Sequence, residues 1–360
     1  MSPDNSSTEF SSALVAMSGG IDSTVAAMLA IEEGIECAGA IMKLYPGASH
    51  GASDIESDGE PDARTAAEQL GIQLHIFDFS EFFEKQVIER FIEAYREGRT
   101  PNPCIDCNRN LKFGRLLEKA HEMGKDGIIT GHYAQIERAA NGRYLLKKGT
   151  DPAKDQSYVL YSLKQEQLSC IRFPLGGLTK SEVREIAHSA GLKNAKKKES
   201  QDICFVPDGD YAGFIEKHTE EHPREGRFID AGGNDLGKSK SIIHYTIGQR
   251  RGLGLAMPYP PYVLDIRPET DTIVIGRNEQ LYSKSLVMRD INIIPAERLD
   301  APVRAHVKIR YNHAGQPATV RQIGDDALQV EFDEPQRAIT KGQAAVIYDD
   351  ETVIGGGTIG

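Results

Sequence analysis

The chain has 360 residues, with 42 Lys and Arg set against 53 Asp and Glu, giving a formal net charge of −11. That length can supply two or three domains with cores of their own, and the negative balance works against nucleic-acid binding unless cations are gathered locally. No apolar run approaches the ~18 residues of a membrane span, the first dozen residues are Ser-rich without a signal core, and five irregularly spaced cysteines do not make a secreted disulfide framework, so no membrane association is expected and the cytoplasm is the expected compartment.

The charges are in fact segregated. Acids cluster in Asp54 to Asp62 and Asp325 to Glu334, whereas Lys238 to Arg251 and Arg304 to Arg321 each hold four Lys or Arg and no acid. Basic faces are therefore available on an acidic protein.

Ser12 to Met17 are small and apolar, as in a strand buried on both faces. The run breaks at Ser18-Gly19-Gly20 and resumes with Val25, Ala26, Met28 and Leu29 on one helical face, stopped by Gly34. Glycines at such a turn let backbone N–H groups approach an anion, and the helix N-terminus adds partial positive charge. The motifs GxxxxGK[ST] and GxGxxG are absent. Ser18-Gly19-Gly20-Ile21-Asp22-Ser23 instead resembles the SGGxDS loop of N-type ATP pyrophosphatases, which release pyrophosphate and transfer AMP to an oxygen. The ordinary alternative is a turn in which Asp22 or Ser23 caps the helix.

The unit then recurs. A strand over Glu36 to Lys43 precedes an acidic loop, a helix from Asp62 to Leu70 closed by Gly71, a strand Gln73 to Phe77 and a long helix Ser80 to Glu97. A further helix spans about Asn108 to Met123, and Ile128 to Thr130 opens a strand before Gly131-His132-Tyr133. Alternating strands and helices predict an α/β doubly wound parallel sheet, with ligands beyond the carboxyl ends of the strands, where Ser18 and Gly131 both lie.

Gly98 to Gly114 reads GRTPNPCIDCNRNLKFG. With the helix beginning near Asn108, Cys107 would sit at its N-terminus beside Arg109 and Lys112, where dipole and cations favour the thiolate. A zinc site is the competing reading, but a lone CxxC offers two ligands and no second pair follows at usable spacing. Inert buried thiols suit Cys37 and Cys170 better. Downstream, Thr179 and Glu182 form a capping box for a helix stopped by Gly191, and Cys204 follows a basic run from Lys193 to Lys198.

From about Leu286 the pattern changes to short alternating runs, VRAHVKIRY, ATVRQI and ALQVEF, broken by Gly, Asp and Pro. These predict antiparallel strands in a small barrel. Arg310 and Tyr311 pair a phosphate-binding cation with a stacking ring, which suits an RNA loop.

Taken in order, SGGIDS, RTPNPCIDCNRNLKFG, TGHYA, KDQSYVLYSL, SQDICF, YTIGQRRGLG and GQAAVIYDDETVIGGGTI resemble the tRNA-specific 2-thiouridylases, which thiolate the wobble uridine of certain tRNAs. The resemblance covers nearly the whole chain. It implies a catalytic domain over residues 1–212, a small central tRNA-contacting domain over 213–285 and a C-terminal β-barrel over 286–360. It implies ATP and Mg2+ as cofactors, with Ala16, Met17, Ser18, Gly19, Gly20, Ile21, Asp22, Ser23, Met42 and Gly131 forming the nucleotide pocket. Cys204 would carry sulfur as a persulfide received from a donor protein, and Cys107 would release its terminal sulfur by forming a disulfide.

For tRNA the resemblance picks out Asn102, Pro103, Cys104, His132, Lys154, Asp155, Gln156, Arg310, Tyr311 and Gln343, with Asp155 a candidate proton-transfer group. A loop in which Asp155 caps the following helix is its alternative. Some relatives carry aspartate at the place of Cys104, so Cys104, Cys107 and Cys204 also make a candidate three-thiolate iron-sulfur ligand set. Where many relatives read GxHxG, this chain has Gly237, Ser239 and Ser241, which weakens any role assigned to a histidine there. Two other classes remain open at this point. A synthetase joining an amine to an activated acid explains SGGIDS but not the paired thiols, and a non-catalytic iron-sulfur or RNA-binding protein leaves the phosphate loop idle.

Overall fold

A computed structural model describes residues 11–45, 59–193, 203–219 and 224–360. Its first sheet is wholly parallel. In chain order its strands are β1 (Ser12–Ala16), β2 (Glu36–Lys43), β3 (Leu74–Asp78) and β4 (Gly127–Ile129); a hairpin of β5 (Ala134–Arg138) and β6 (Tyr144–Lys148) intervenes before β7 (Ile171–Arg172). The spatial order is β3-β2-β1-β4-β7, so the chain reverses its direction of winding between β1 and β4. That reversal opens a crevice at the carboxyl edge.

Burial on both faces explains the small apolar residues of β1. Ala13, Leu14 and Val15 are fully buried. Ala13 and Val15 pack with Val25, Ala26, Ala63 and Val183 from the helices Ile21–Glu32, Glu60–Leu70 and Lys180–Ser189. Leu14 points the other way, into a core with Phe83, Phe91, Leu111 and Leu116. The long helix expected over Ser80 to Glu97 is present, but its middle, Glu84–Ile88, is a π-turn.

A second sheet of four strands contains Gly226–Asp230, Asp235–Ser239, Tyr262–Arg267 and Thr272–Gly276. The third is a closed six-stranded antiparallel barrel, because Tyr282–Ile293 pairs with both Ala327–Arg337 and Thr352–Ile359. The predicted fold class therefore stands.

The β5–β6 hairpin was not expected in this role. It leaves the parallel sheet and extends the barrel, with Leu146 opposite Val353 and Lys147 opposite Thr352. One hydrophobic core consequently runs through all three sheets, from Leu14 and Phe91 through Phe228 and Val263 to Val346 and Tyr348. Side-chain bonds to main-chain carbonyls reinforce the seam: Asn292 Nδ2 donates to the carbonyls of Tyr161 (2.7 Å) and Leu163 (2.9 Å), and Tyr158 Oη donates to that of Ala344 (2.8 Å). Among the described residues no helix is long and apolar enough to cross a membrane.

Candidate active site

The loop after β1 is built of backbone. Gly19 has φ +73°, and a Cβ there would fall 2.2 Å from the carbonyl oxygen of Gly59, so two main chains are pressed together at this turn. Gly20 begins the helix Ile21–Glu32 and no side chain caps it. Ser23 Oγ accepts from the Ser18 N–H (3.2 Å) and donates to the Gly20 carbonyl (3.0 Å). The alternative in which Asp22 or Ser23 caps the helix is therefore overturned, and the first-turn N–H groups keep their anion-binding capacity. Gly131, at the end of β4, closes the other side: a Cβ there would lie 2.7 Å from the Asp22 carbonyl carbon. Ala16 ends β1, Met17 follows it directly before the loop, and Met42 lies near the end of β2, half-buried.

Asp22 has a different occupation. Its carboxylate accepts from Lys180 Nζ at 2.7 and 2.8 Å and from Tyr133 Oη at 2.8 Å. Lys180, at 6% exposure, is a buried cation. Sequence reasoning missed it, because a lysine at the first position of a capped helix has the pattern of a solvated residue.

The thiol region departs from expectation. Asn102 Oδ1 accepts from the Cys104 N–H (3.2 Å) and Pro103 occupies the first turn, so the helix begins at Pro103 and not near Asn108. Cys107 is thus one turn inside, at the start of a π-helical stretch running to Arg115. Burial pushes its thiol up to about 12, against the pull of Lys112. The thiolate-favouring N-terminal placement is corrected, since desolvation outweighs the nearby cation. Arg109 is turned to Asp290 of the barrel, 2.5 Å away. Cys104 reaches solvent, yet surrounding protein still raises its thiol.

Cys204 is exposed, and the Tyr45 hydroxyl, two residues beyond β2, lies 3.7 Å from its sulfur. Negative charge on Cys204 disfavours ionisation of Cys104 and Cys107, so the three thiols share one electrostatic neighbourhood. All five cysteines are free. Next to Cys204, Phe205 is anchored among Phe83, Phe91 and Phe214. Residues 194–202, which include most of the basic run and the start of SQDICF, lie outside the described residues, as does the acidic loop from 46 to 58. Among the described residues no group of three or more His, Cys, Asp or Glu side chains is arranged to hold a metal ion. Cys104, Cys107 and Cys204 do not form a cluster ligand set in this conformation.

The remaining positions gather where the barrel meets the parallel sheet. Asp155 accepts from the Gly149 and Ser157 N–H groups (3.1 Å each) and from Ser157 Oγ (3.0 Å), one residue before Gln156, which is the N-cap of the short helix Ser157–Leu160. Gln156 exchanges two bonds of 2.9 Å with the Tyr133 main chain. Lys154 lies beside them, half-buried. Tyr311 Oη donates to the Asp155 carbonyl (3.2 Å), and Arg310, exposed, reaches the Arg337 carbonyl (3.3 Å). Gln343 Nε2 donates to the Thr100 carbonyl (2.9 Å) next to Pro101. His132 is buried against Phe113 and Phe173, bonded to Thr130 Oγ1 at 2.7 Å and held neutral by desolvation, so RNA would reach it only if it were uncovered. Lys308, not singled out from sequence, lies about 6 Å from the rings of Tyr158, Tyr311 and Tyr348.

Three family descriptions match in succession: a tRNA methyl transferase HUP domain over residues 11–208, a tRNA methyl transferase PRC-barrel domain over 212–277 and an aminomethyltransferase beta-barrel domain over 283–359. Among solved structures, a 4-thiouridine synthetase–RNA complex with bound ATP is 21% identical with a TM-score of 0.34, covering 56% of this chain and 46% of that one. NMN synthetase from Francisella tularensis is 16% identical with a TM-score of 0.32, covering 60% and 79%. Likeness at that level does not bear on function. The sequence relatives are much nearer. The tRNA-specific 2-thiouridylase MnmA of Clostridioides difficile strain 630 is 46% identical over 352 residues, covering 96% of this chain and 97% of that protein. That of Lachnoclostridium phytofermentans is 45% identical over 353 residues, covering 96% and 98%. With the motifs falling at the carboxyl edge of a parallel sheet and at the barrel seam, and with identity of this extent from end to end, the chain belongs to the tRNA-specific 2-thiouridylase family of sulfurtransferases.

Proposed function

We propose that this protein uses ATP to replace the C2 oxygen of the wobble uridine of tRNA with sulfur. The reading is supported above all by one juxtaposition: the uncapped phosphate loop lies two residues beyond β1, and Tyr45, in contact with the sulfur of Cys204, lies two residues beyond the neighbouring β2. Nucleotide and sulfur chemistry thus meet at one edge of one sheet.

The C2 oxygen cannot leave as oxide, so it must first become a leaving group. The uracil O2 attacks the α-phosphorus of ATP, and the bond to pyrophosphate breaks. The terminal sulfur of a persulfide on Cys204, supplied by a donor protein, then attacks C2. The Cys107 thiolate attacks Cys204 Sγ; the S–S electron pair passes to the transferred sulfur, which forms C=S as AMP departs with the C–O pair. A Cys107–Cys204 disulfide remains and an external thiol must reduce it before the next cycle. In this scheme the Gly19–Ser23 backbone binds phosphate, and Asp22 would hold the Mg2+ that offsets phosphate charge when nucleotide is bound. Lys154, Gln156, Arg310 and Tyr311 line the approach for the anticodon loop, and the bonds of Asp155 give it the work of shaping that approach.

The test is a single turnover of iron-free enzyme, loaded with persulfide on Cys204, against a tRNA transcript and ATP. One AMP and one 2-thiouridine should form per loaded Cys204. Thiolation that appears only after iron and sulfide are restored, and that Cys104→Ser abolishes together with the iron, would overturn the persulfide assignment.

A further inference from the structure

Asp22 and the segment 151–156 are remote in sequence, yet a continuous set of hydrogen bonds joins them. The two side chains that hold the Asp22 carboxylate, Lys180 and Tyr133, are each fixed through their own main chain to that segment. Asp151 Oδ2 accepts from the Lys180 N–H at 2.9 Å, while Asp151 Oδ1 accepts from the Ala153 N–H at 3.0 Å. Gln156 Oε1 accepts from the Tyr133 N–H, and the Gln156 N–H donates to the Tyr133 carbonyl. Lys180 also lies over the Tyr133 ring, 5.8 Å from its centre.

The electrostatics give this arrangement a purpose. The Lys180 side chain is 8% exposed and that of Asp22 29%, so neither charge is well screened by water. A phosphate entering the loop places new negative charge beside Asp22. An ammonium 2.7 Å from the carboxylate keeps those two anions compatible, and the main chain of the same lysine is bonded to Asp151.

We propose that Lys180 is a positioning residue that sets Asp22 for nucleotide and, through Asp151, makes the nucleotide loop sensitive to tRNA seated on residues 154–156. The inference rests on the ATP and tRNA reading above. If it holds, ATP and tRNA tighten each other's binding, by a factor in the ~5–150 range usual for coupled sites. Asp151 touches neither ligand and carries only the connection.

The experiment measures Mg-ATP affinity by calorimetry, with and without a tRNA transcript, in the full chain. Asp151→Ala should keep the tRNA-free ATP affinity within about twofold and lose most of the enhancement by tRNA. Lys180→Met should weaken ATP binding about tenfold, with Lys180→Arg recovering part of it because the charge is kept. Should Lys180→Met fail to fold, Asp22→Asn/Lys180→Met removes both charges and is compared with Asp22→Asn alone; the two should bind ATP within about twofold of each other, because Lys180 acts through the Asp22 carboxylate, and a further loss would overturn the positioning role. Full tRNA enhancement in Asp151→Ala, or a tRNA-insensitive wild type that binds ATP normally, overturns this inference alone. A wild type that binds no ATP overturns the nucleotide reading and this inference with it.

Discussion

The loop proposed to hold phosphate and the thiol region lie at the same sheet edge but differ in readiness. The loop is set: Gly20 is uncapped, the serines are bonded to the loop itself, and Asp22 is held by two side chains within 3 Å. The thiols are not: Cys107 is protonated by burial, Cys204 is exposed, and a tyrosine hydroxyl contacts the latter. Both are free thiols; in the proposed scheme tRNA binding triggers the rearrangement that joins them, with Cα atoms within about 7 Å in the disulfide. The contrast suits the order of chemistry. A loop awaiting nucleotide can stand open harmlessly, whereas a thiolate at Cys107 would meet adventitious oxidants, and burial keeps that thiol protonated.

The sharpest way to break this comparison is to remove the sulfur carrier. Cys204→Ser should abolish thiouridine formation while tRNA-dependent AMP release persists, measured by nucleoside chromatography and labelled ATP. Loss of both would mean that the loop is not independently competent.

Next in size is the anchor beside Cys204. Phe205 is 2% exposed in an aromatic cluster, and Phe205→Ala should cost about 3–5 kcal/mol in denaturant unfolding. ATP affinity of the folded fraction should be unchanged, because no loop contact is lost. A stability change below about 1 kcal/mol would place Phe205 outside the folded core.

A third prediction concerns protons. With its thiol raised to about 12 in the folded protein, Cys107 should alkylate slowly at pH 8 and accelerate tenfold per pH unit up to pH 10. Saturating tRNA should raise the pH 8 rate if the rearrangement exposes it. The same shift has a stability consequence. The native state keeps a proton that the unfolded chain releases near its ordinary value of 9.0, so this contribution is complete below pH 9 and is lost as pH rises towards 12. Cys37, raised by burial to about 11, adds to the same trend. Fast, tRNA-independent labelling of Cys107 at pH 8 would contradict its burial.

The smallest expected effect is at the barrel. Arg310→Ala should weaken tRNA binding a few-fold and reduce the slope of log affinity against log salt by about 1. Thermal stability should barely move, since Arg310 is exposed and bonds to the carbonyl of Arg337 at the long distance of 3.3 Å. An unchanged salt slope would remove Arg310 from the RNA interface.

Much of the architecture was legible because periodicity and turn chemistry are local. The apolar run of β1, the glycines after it and the stop at Gly34 need no partner to be recognised, and the alternation after Leu286 announces a barrel. The start of the thiol-bearing helix was misplaced by about five residues. Asn102-Pro103 is an ordinary capping signal, but the cysteines that follow drew the boundary to themselves.

What the sequence determined by itself is therefore the succession of strand, loop and helix, the place of the glycine turn after β1, and the family to which its motifs point. Tertiary structure alone decided the ionisation of Cys107, because burial depends on how segments distant in the chain close around it. It also decided that β5 and β6 belong to the barrel, because strand edges pair by proximity and carry no mark of their partner in the chain. Lys180 is the plainest case: its own neighbourhood is an exposed helix start, and only the packing of that helix beside the phosphate loop brings its ammonium to Asp22.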